Sequence, residues 1–180
     1  LNALLANRGP EAITFFQRVL NLDPNHVDTL LRMGITQLRQ KNVQEAIRLH
    51  LKAWNLESNN QEVMFSLSAD YEDAKRFDEA IKMYREILRR DPSNITTLGR
   101  LRDLYHRLNQ WEELIETQAR LLASPLGAQE LEIEHRKSIG FKYELGRSLL
   151  EAGDLEKARK VFRGVIKLDK DFVPAYLGLG

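Results

Sequence analysis

The sequence contains no cysteine, which excludes disulfide bridges and thiolate metal sites from this segment. It also contains no apolar run near the ~20 residues that a membrane span needs. Acidic and basic side chains almost cancel at a formal net charge of +1, so no strong field attracts nucleic acid or a membrane surface. With 43% hydrophobic and 29% charged residues, the composition is that of a soluble globular protein.

Residue patterns that carry catalysis are also missing. The four histidines, His26, His50, His106 and His135, are too far apart in sequence to form a helical metal motif. No glycine-rich loop is spaced to hold a phosphate, and no serine has a nearby His/Asp pattern. The sequence therefore predicts a protein that is not an enzyme and that has no cofactor and no metal.

Residues 61–94 carry the period of two amphipathic helices joined by a turn. Apolar and small residues recur at steps of three and four: Met64, Leu67, Ser68 and Tyr71 in the first half, and Ala80, Ile81, Tyr84, Ile87 and Leu88 in the second. Pro92 then stops the second helix. Two strands would instead show strict alternation, so the stretch predicts a helical hairpin.

The same spacing recurs along the chain. Ala12, Ala46 and Ala80 are equally spaced, and Pro24 and Pro92 are separated by twice that interval. A hairpin of this period with small, aromatic, Ala and Pro positions resembles the tetratricopeptide repeat. The resemblance implies an all-α solenoid of antiparallel hairpins in a right-handed superhelix, forming a single domain over 1–180. We divide it into a partial repeat 1–26, repeats 27–60 and 61–94, a degenerate repeat 95–128, an insert 129–138, a repeat 139–172 and a partial repeat 173–180.

The second half of the chain departs from this pattern. Arg102 stands where a small residue is expected, and Gln118 stands where an aromatic one is expected. Two interpretations remain open: a degenerate repeat that alters the superhelix locally, or a functional kink. The interval from Leu114 to the next repeat alanine, Ala158, exceeds one repeat by ten positions, which contain no helix breaker. We therefore predict one long helix over about 128–151, with first turns that project beyond the stack, and Asp154 as the cap of the next helix.

The first helices of such hairpins line a concave groove, where partner segments bind. The predicted partner-facing residues are Leu31, Ile35, Arg39, Phe65, Glu72, Arg100, Asp103, His106, Arg107, Tyr143 and Arg147. They combine apolar patches with both charge signs, and the alternative is that they only line the superhelix. Repeats that grip chaperone tails use a Lys/Asn/Asn/Lys/Arg clamp, of which only Arg100 is present here. His50, at a position usually filled by an aromatic residue, is predicted to be a partly buried packing residue.

The order of irregularities is similar to that in the LapB family of bacterial lipopolysaccharide-assembly proteins. Both have an AIRLH-like stretch, here Ala46 to His50, followed by a divergent repeat and a long helix. The resemblance implies cytoplasmic repeats in a protein anchored to the inner membrane, which presents a client to a membrane protease. It also implies an amino-terminal anchor and a cysteine-rich module, neither of which falls in this segment.

Two functions are therefore expected. The first is a protein-interaction adaptor that binds proteins or peptides in its groove, without nucleic acid and without direct insertion into a membrane. The alternative is a structural scaffold that self-associates end to end. The chain opens within a hairpin, with residues 1–7 as the end of a first helix, so apolar faces at both ends favour self-association.

Overall fold

The computed structural model describes residues 9–179, and every regular element within them is an α-helix. The helix predicted over residues 1–7 lies outside the described residues. In chain order the helices are α1 (Gly9–Leu22), α2 (Val27–Arg39), α3 (Val43–Leu56), α4 (Gln61–Asp73), α5 (Phe77–Arg90), α6 (Ile95–Arg107), α7 (Trp111–Leu122), α8 (Ala128–Glu151), α9 (Leu155–Leu168) and α10 (Val173–Leu177). The all-α prediction is confirmed.

The chain divides into two compact units, the first ending at Pro92 and the second beginning at Ser93. In the first unit α2 pairs with α3 and α4 with α5, while α1 packs on α2 and α3 packs on α4. In the second unit α6 pairs with α7 and α8 with α9, while α7 packs on α8 and α10 packs on α9. Each unit is thus built from helical hairpins that pack on their neighbours in chain order.

The turns inside the hairpins repeat one backbone geometry. A residue shortly after each first helix has a positive φ: 65° at Lys41, 58° at Lys75, 54° at Asn109 and 81° at Gly153. In the first of these turns the N–H of Asn42 donates to the carbonyl of Gln37 at 2.9 Å, which is the closing bond of a Schellman motif. The first three turns are equally spaced and the fourth follows the insert, so the insertion leaves the turn geometry unchanged.

The start of three first helices is fixed by a side chain that caps each of them. His26, Asn60 and Asn94, which are separated by one repeat each, accept a hydrogen bond from a backbone N–H in the first turn that follows. Such caps satisfy donors that the helix itself leaves unpaired. Asp154 caps α9 by accepting from the N–H of Lys157 at 3.3 Å, as predicted from the sequence.

The extended helix predicted over about 128–151 is confirmed, because α8 runs for 24 residues from Ala128 to Glu151. Its first turns do not project freely, however. Leu131, Glu134 and Ser138, which share one face at helical spacing, are partly buried, and this part of the chain packs on α7. The prediction of projecting turns was wrong because the insert carries a side chain that the degenerate repeat binds.

In two of the hairpins the paired helices cross where a glycine of the first helix meets a ring of the second. Gly34 lies against His50 and Gly146 lies against Phe162, so close that an added Cβ would come within 3.0 Å of either ring. Phe162 is fully buried, and Gly178 of the following segment covers its other edge. The ring therefore has no free direction in which to move.

Gly146→Ala is expected to lower the free energy of unfolding by about 1–3 kcal/mol, because the new methyl group overpacks a ring held on both sides. Gly140→Ala on the same helix is the matched control. A Cβ there meets nothing within 4 Å, so the better helix propensity of alanine should stabilise the chain by up to about 1 kcal/mol. Urea unfolding of both variants measures whether each change lowers or raises the free energy of unfolding. Equal changes would contradict the packing argument.

Candidate interaction surfaces

In the first unit, one buried tyrosine contacts two of the predicted partner-facing residues. Tyr84 on α5 is fully buried, yet its hydroxyl donates to Glu72 Oε1 on α4 at 2.5 Å. Its ring also meets the edge of Phe65, with 5.9 Å between centroids. Phe65 and Glu72 are seven residues apart, so they lie on one face of α4. Both remain partly exposed, and a single tyrosine fixes their positions.

The residues predicted on the neighbouring first helix, α2, differ in exposure. Arg39 is exposed and Ile35 is partly exposed, packing along the edge of the core of this unit. Leu31 is only 3% exposed and lies inside that core. The α2/α4 surface, which we define as Ile35, Arg39, Phe65 and Glu72, therefore combines an apolar centre with one charge of each sign.

In the second unit three rings meet around a predicted residue. The His106 ring lies 5.7 Å from Trp111 and 5.3 Å from Phe141, centroid to centroid. His106 itself is exposed, whereas Trp111 and Phe141 are half-buried. Since the three rings come from α6, α7 and α8, they form a small aromatic surface shared by three helices. Trp111 and Phe141 were not among the predicted partner-facing residues.

The other predicted residues on α6 lie in polar surroundings. Arg100 and Arg107 are exposed, and the Asp103 carboxylate is bound to Arg102 at 2.7 Å. Asp103 is therefore engaged within its own unit.

The two predicted partner-facing residues on α8, Tyr143 and Arg147, have different surroundings. Arg147 lines a polar cleft of about 280 Å³ and bonds weakly to two glutamates of its own helix. Tyr143 instead packs against Phe162 and Phe172, with centroids 5.8 and 5.3 Å away, as part of a core cluster. The structure thus does not bring the predicted residues of this unit onto one surface.

Two of the three residues that made repeat 95–128 look degenerate, Arg102 and Gln118, belong to a buried polar network; the third, Leu114, is a buried core residue. Arg102 is 6% exposed, and its guanidinium bonds to Glu134 Oε2 at 2.6 Å and to Gln118 Oε1 at 3.3 Å. The Gln118 amide in turn donates to the Glu134 carbonyl at 2.8 Å and to its carboxylate at 3.0 Å. Arg102 and Gln118 therefore replace a small–aromatic contact with a site that binds the insert.

The charges inside this network are matched. Burial raises the pKa of Glu134, but hydrogen bonds from Lys137 and Gln118 and the charge of Arg102 outweigh it, so the pKa lies below its usual value. Asp103 binds the same guanidinium at 2.7 Å. The network holds α6, α7 and α8 together through hydrogen bonds that pair each donor with an acceptor.

A second buried pair lies in the first unit. His50 Nδ1 and Asp70 Oδ2 are 2.5 Å apart, and His50 Nε2 is 3.0 Å from the carbonyl oxygen of Leu31. Both side chains are fully buried, so His50 is not the partly buried residue that the sequence predicted. Because a carbonyl can only accept, Nε2 carries a hydrogen, and one further proton lies between Nδ1 and the carboxyl group. The pair links α2, α3 and α4.

Asp70 is held at an energetic cost. Burial raises its pKa, and the hydrogen bond from His50 offsets only part of that rise. The second carboxyl oxygen, Oδ1, has no hydrogen-bond partner among the described residues. In the sequence, this pair is visible as a polar residue at each of two repeat positions that face the core. At the second position, the next repeat has the apolar Leu104 in place of Asp70.

Two further observations concern metal binding and membrane crossing. Within residues 9–179, no group of three or more His, Asp or Glu side chains is arranged to hold a metal ion. No helix in the same range combines the length and the apolar character that crossing a lipid bilayer requires.

Comparison with known families agrees with the hairpin architecture. One tetratricopeptide repeat model matches residues 62–94 and 139–172, and another model of the same description matches residues 97–132. Together the matches cover more than half of the chain, including the degenerate repeat. No curated protein matches the chain by sequence.

Solved structures share the fold at low sequence identity. MamA from Desulfovibrio magneticus RS-1 is 18% identical, covers 94% of this chain and 92% of its own, and superposes with a TM-score of 0.63. A tetratricopeptide repeat protein from Parabacteroides merdae is 16% identical over 97% of this chain and 66% of its own, with a TM-score of 0.67. YrrB, described as having an unusual peptide-binding site, is 16% identical over 91% of this chain and 79% of its own, with a TM-score of 0.54.

Proposed function

Because the chain belongs to the tetratricopeptide repeat family, whose members generally mediate protein–protein interaction, we propose that it is a non-enzymatic adaptor for partner segments. The α2/α4 surface is the proposed binding site in the first unit. The observation that supports it most is the dual contact of Tyr84, which holds the Phe65 ring and the Glu72 carboxylate in place before any partner arrives. A preorganised anchor loses little conformational entropy on binding.

The chemistry of this surface defines the expected partner. An aromatic anchor with a carboxylate two helical turns away suits a peptide that presents an apolar side chain beside a basic one. Peptides selected on the wild-type chain from a random display library should therefore share that pattern.

Phe65→Ala is expected to weaken binding of the selected peptides by about 10–100-fold, the range for removing an aromatic anchor. Fluorescence polarisation of a labelled peptide measures the change. Phe15→Ala is the matched control, since Phe15 is 60% exposed on α1 and outside the proposed surface. Equal affinities for wild type and Phe65→Ala would reject the α2/α4 surface as the binding site.

Tyr143→Ala is a poor test of binding, although Tyr143 was predicted to face the partner. Its ring packs on Phe162 and Phe172, so truncation removes core contacts. His106 is the better probe in the second unit, because it is exposed and contacts two aromatic neighbours.

In finer detail, we propose that the client is presented to a membrane protease during lipopolysaccharide assembly. The resemblance to the LapB family supports this proposal. Ala46 and His50 of the shared AIRLH stretch are buried, however, so that match reflects the core. Titration calorimetry of this chain with a lipid A-pathway deacetylase tests the proposal, and no heat of binding at concentrations on the order of 100 μM would reject it.

Self-association is the second candidate function. It is favoured by apolar side chains exposed on α10, where Val173 is 61% and Leu177 is 78% exposed, and on α1, where Leu22 is 90% exposed. Sedimentation velocity at increasing concentration separates the candidates. A scaffold should form larger species that Leu177→Asp disrupts, whereas an adaptor should stay monomeric.

A further inference from the structure

We propose that the second unit carries another binding site, a basic cleft among α7, α8 and α9 that accepts an acidic amphipathic helix of a partner protein. The cleft has a volume of about 720 Å³. Its lining comes from the two second helices α7 and α9 and from α8 between them. The sequence does not reveal this cleft, because the near-zero net charge of the whole chain hides a local excess of basic residues.

The floor of the cleft is apolar. It is formed by Ile115 on α7, Leu145 and Leu149 on α8, and Val161, Gly164 and Leu168 on α9. Leu145 and Leu149 are one helical turn apart, while Val161 and Leu168 are two turns apart, so the floor is a strip and not a round pocket. A strip lined at these spacings is complementary to side chains that recur every three or four residues on a helix.

Gly164 opens this strip. A Cβ placed there would meet nothing within 4 Å, whereas the residues at the equivalent positions of the earlier hairpins are Lys52, Glu86 and Arg120. A long side chain at this position would lie across the floor. The cleft therefore depends on one glycine that the other hairpins do not have.

The rim of the cleft is basic. Lys142, Lys157, Lys160 and Lys167 surround the floor, and Glu112 is the one acidic residue in the lining. Lys157 bonds to Asp154 at 2.7 Å, but Lys142, Lys160 and Lys167 form no ion pair within residues 9–179. Three lysines beside an apolar strip, without an ion-pair partner among the described residues, are complementary to an acidic ligand.

The spacing of the lysines indicates which kind of ligand fits the cleft. Lys157 to Lys167 spans ten residues of α9, roughly 15 Å at 1.5 Å per residue. A compact anion cannot contact charges over that length. A partner helix lying along α9 can, with apolar residues on the floor and glutamates or aspartates toward Lys160 and Lys167.

This site is separate from the proposed adaptor surface. On α8 the cleft residues Lys142, Leu145 and Leu149 lie roughly 150° around the helix from Tyr143 and Arg147. The α2/α4 surface belongs to the other unit. Binding in the cleft should therefore be unaffected by Phe65→Ala, and either site can fail without the other.

The probe for this proposal is a designed, labelled helix of roughly four turns, with leucines at every third or fourth position and glutamates on both flanks. The control probes carry lysines in place of the glutamates, or the same composition in scrambled order. We expect the acidic helix to bind, with an affinity that falls as salt is raised, and both control probes to bind at least about tenfold more weakly. Equal binding of the scrambled probe would overturn the proposal.

Substitutions in the cleft test where the acidic helix binds. Gly164→Phe should abolish it by filling the strip, while Gly164→Ala, which is also sterically free, should leave it within about twofold. Lys160→Glu with Lys167→Glu should weaken binding at least about tenfold. Arg100→Glu with Arg136→Glu makes the same charge change at exposed positions of the same unit outside the cleft lining and should have a much smaller effect. Circular dichroism confirms that each variant is folded.

Other occupants give different results. Binding of phosphatidylglycerol vesicles that persists in Gly164→Phe, without binding of the acidic helix, would assign the lysines to a membrane surface and overturn the proposal. Concentration-dependent dimerisation that Gly164→Phe abolishes would make the occupant a second copy of this chain, which also overturns it. Saturable binding of the acidic helix alone, lost in Gly164→Phe, supports it.

Discussion

Glu134→Ala is expected to lower the free energy of unfolding by about 3–5 kcal/mol, because it leaves the buried Arg102 guanidinium without its main counter-charge. Arg102 is 6% exposed and would keep only the exposed Asp103 as an ionic partner. Gln118 loses its carboxylate acceptor at the same time. Far-ultraviolet circular dichroism in a urea gradient measures the loss.

Glu132→Ala is the matched control for this prediction. Glu132 lies two residues away on the same helix and is paired with Arg136 at 2.5 Å, but its side chain is 65% exposed. Exposed pairs of this kind contribute about 0–1 kcal/mol. If both variants lose the same free energy of unfolding, the burial of the Arg102–Glu134 pair is not the cause of the loss.

The triple variant Arg102→Met, Gln118→Leu and Glu134→Leu should recover most of the loss and can exceed the wild type. Buried charged groups that are replaced together by apolar groups of similar volume leave no unpaired charge behind. A triple variant as unstable as Glu134→Ala would show that the polar atoms are needed for packing itself.

His50→Phe is expected to cost about 3–5 kcal/mol at neutral pH, because it leaves the buried Asp70 carboxylate without its partner. The ring itself should fit, since Phe162 lies over Gly146 in the same register as His50 over Gly34. Unfolding at pH 7 and pH 4 tests the cause, because protonation of Asp70 at low pH should shrink the cost.

Adding Asp70→Leu to this variant should restore stability, since each position then holds the apolar residue that is buried at the same position of another repeat, Phe162 in one case and Leu104 in the other. A double variant that stays unstable would contradict the buried charge as the cause.

The wild type should show the same pH dependence in weaker form. A folded-state pKa above the usual carboxyl value means that the folded chain keeps a proton which the unfolded chain has lost. The contribution of Asp70 to stability is therefore greatest below the ordinary pKa and falls as pH rises through the raised one. Surface carboxylates such as Glu86, whose pKa Arg89 and Arg90 lower to about 2, act in the opposite direction. The difference between wild type and Asp70→Asn isolates the buried group.

The helical architecture could be predicted because it depends on short-range spacing. The steps of three and four around Leu67 and Ile87, and the recurrence of Ala46 and Ala80, are visible in the sequence alone. The length of α8 followed in the same way from ten extra positions without a breaker. Local propensity and period agree with the fold at all of these positions.

The polar interior could not be predicted, because it depends on contacts between residues without a shared register. Arg102 looked like a defect until its partner Glu134, 32 residues later, was located in the insert. The exposure of candidate surface residues was equally hidden. Tyr143 lies on a face that Phe172 covers, and no period in the sequence reports that contact.

The pairing of Arg102 with Glu134 has a consequence for the evolution of the chain. Repeats of one length can be duplicated or deleted as modules as long as every junction between them is equivalent. Here the degenerate repeat carries Arg102 and the insert carries Glu134. A recombination that separates the two segments therefore leaves a buried charge without its partner. The degenerate repeat and the insert are therefore expected to be duplicated or deleted only together.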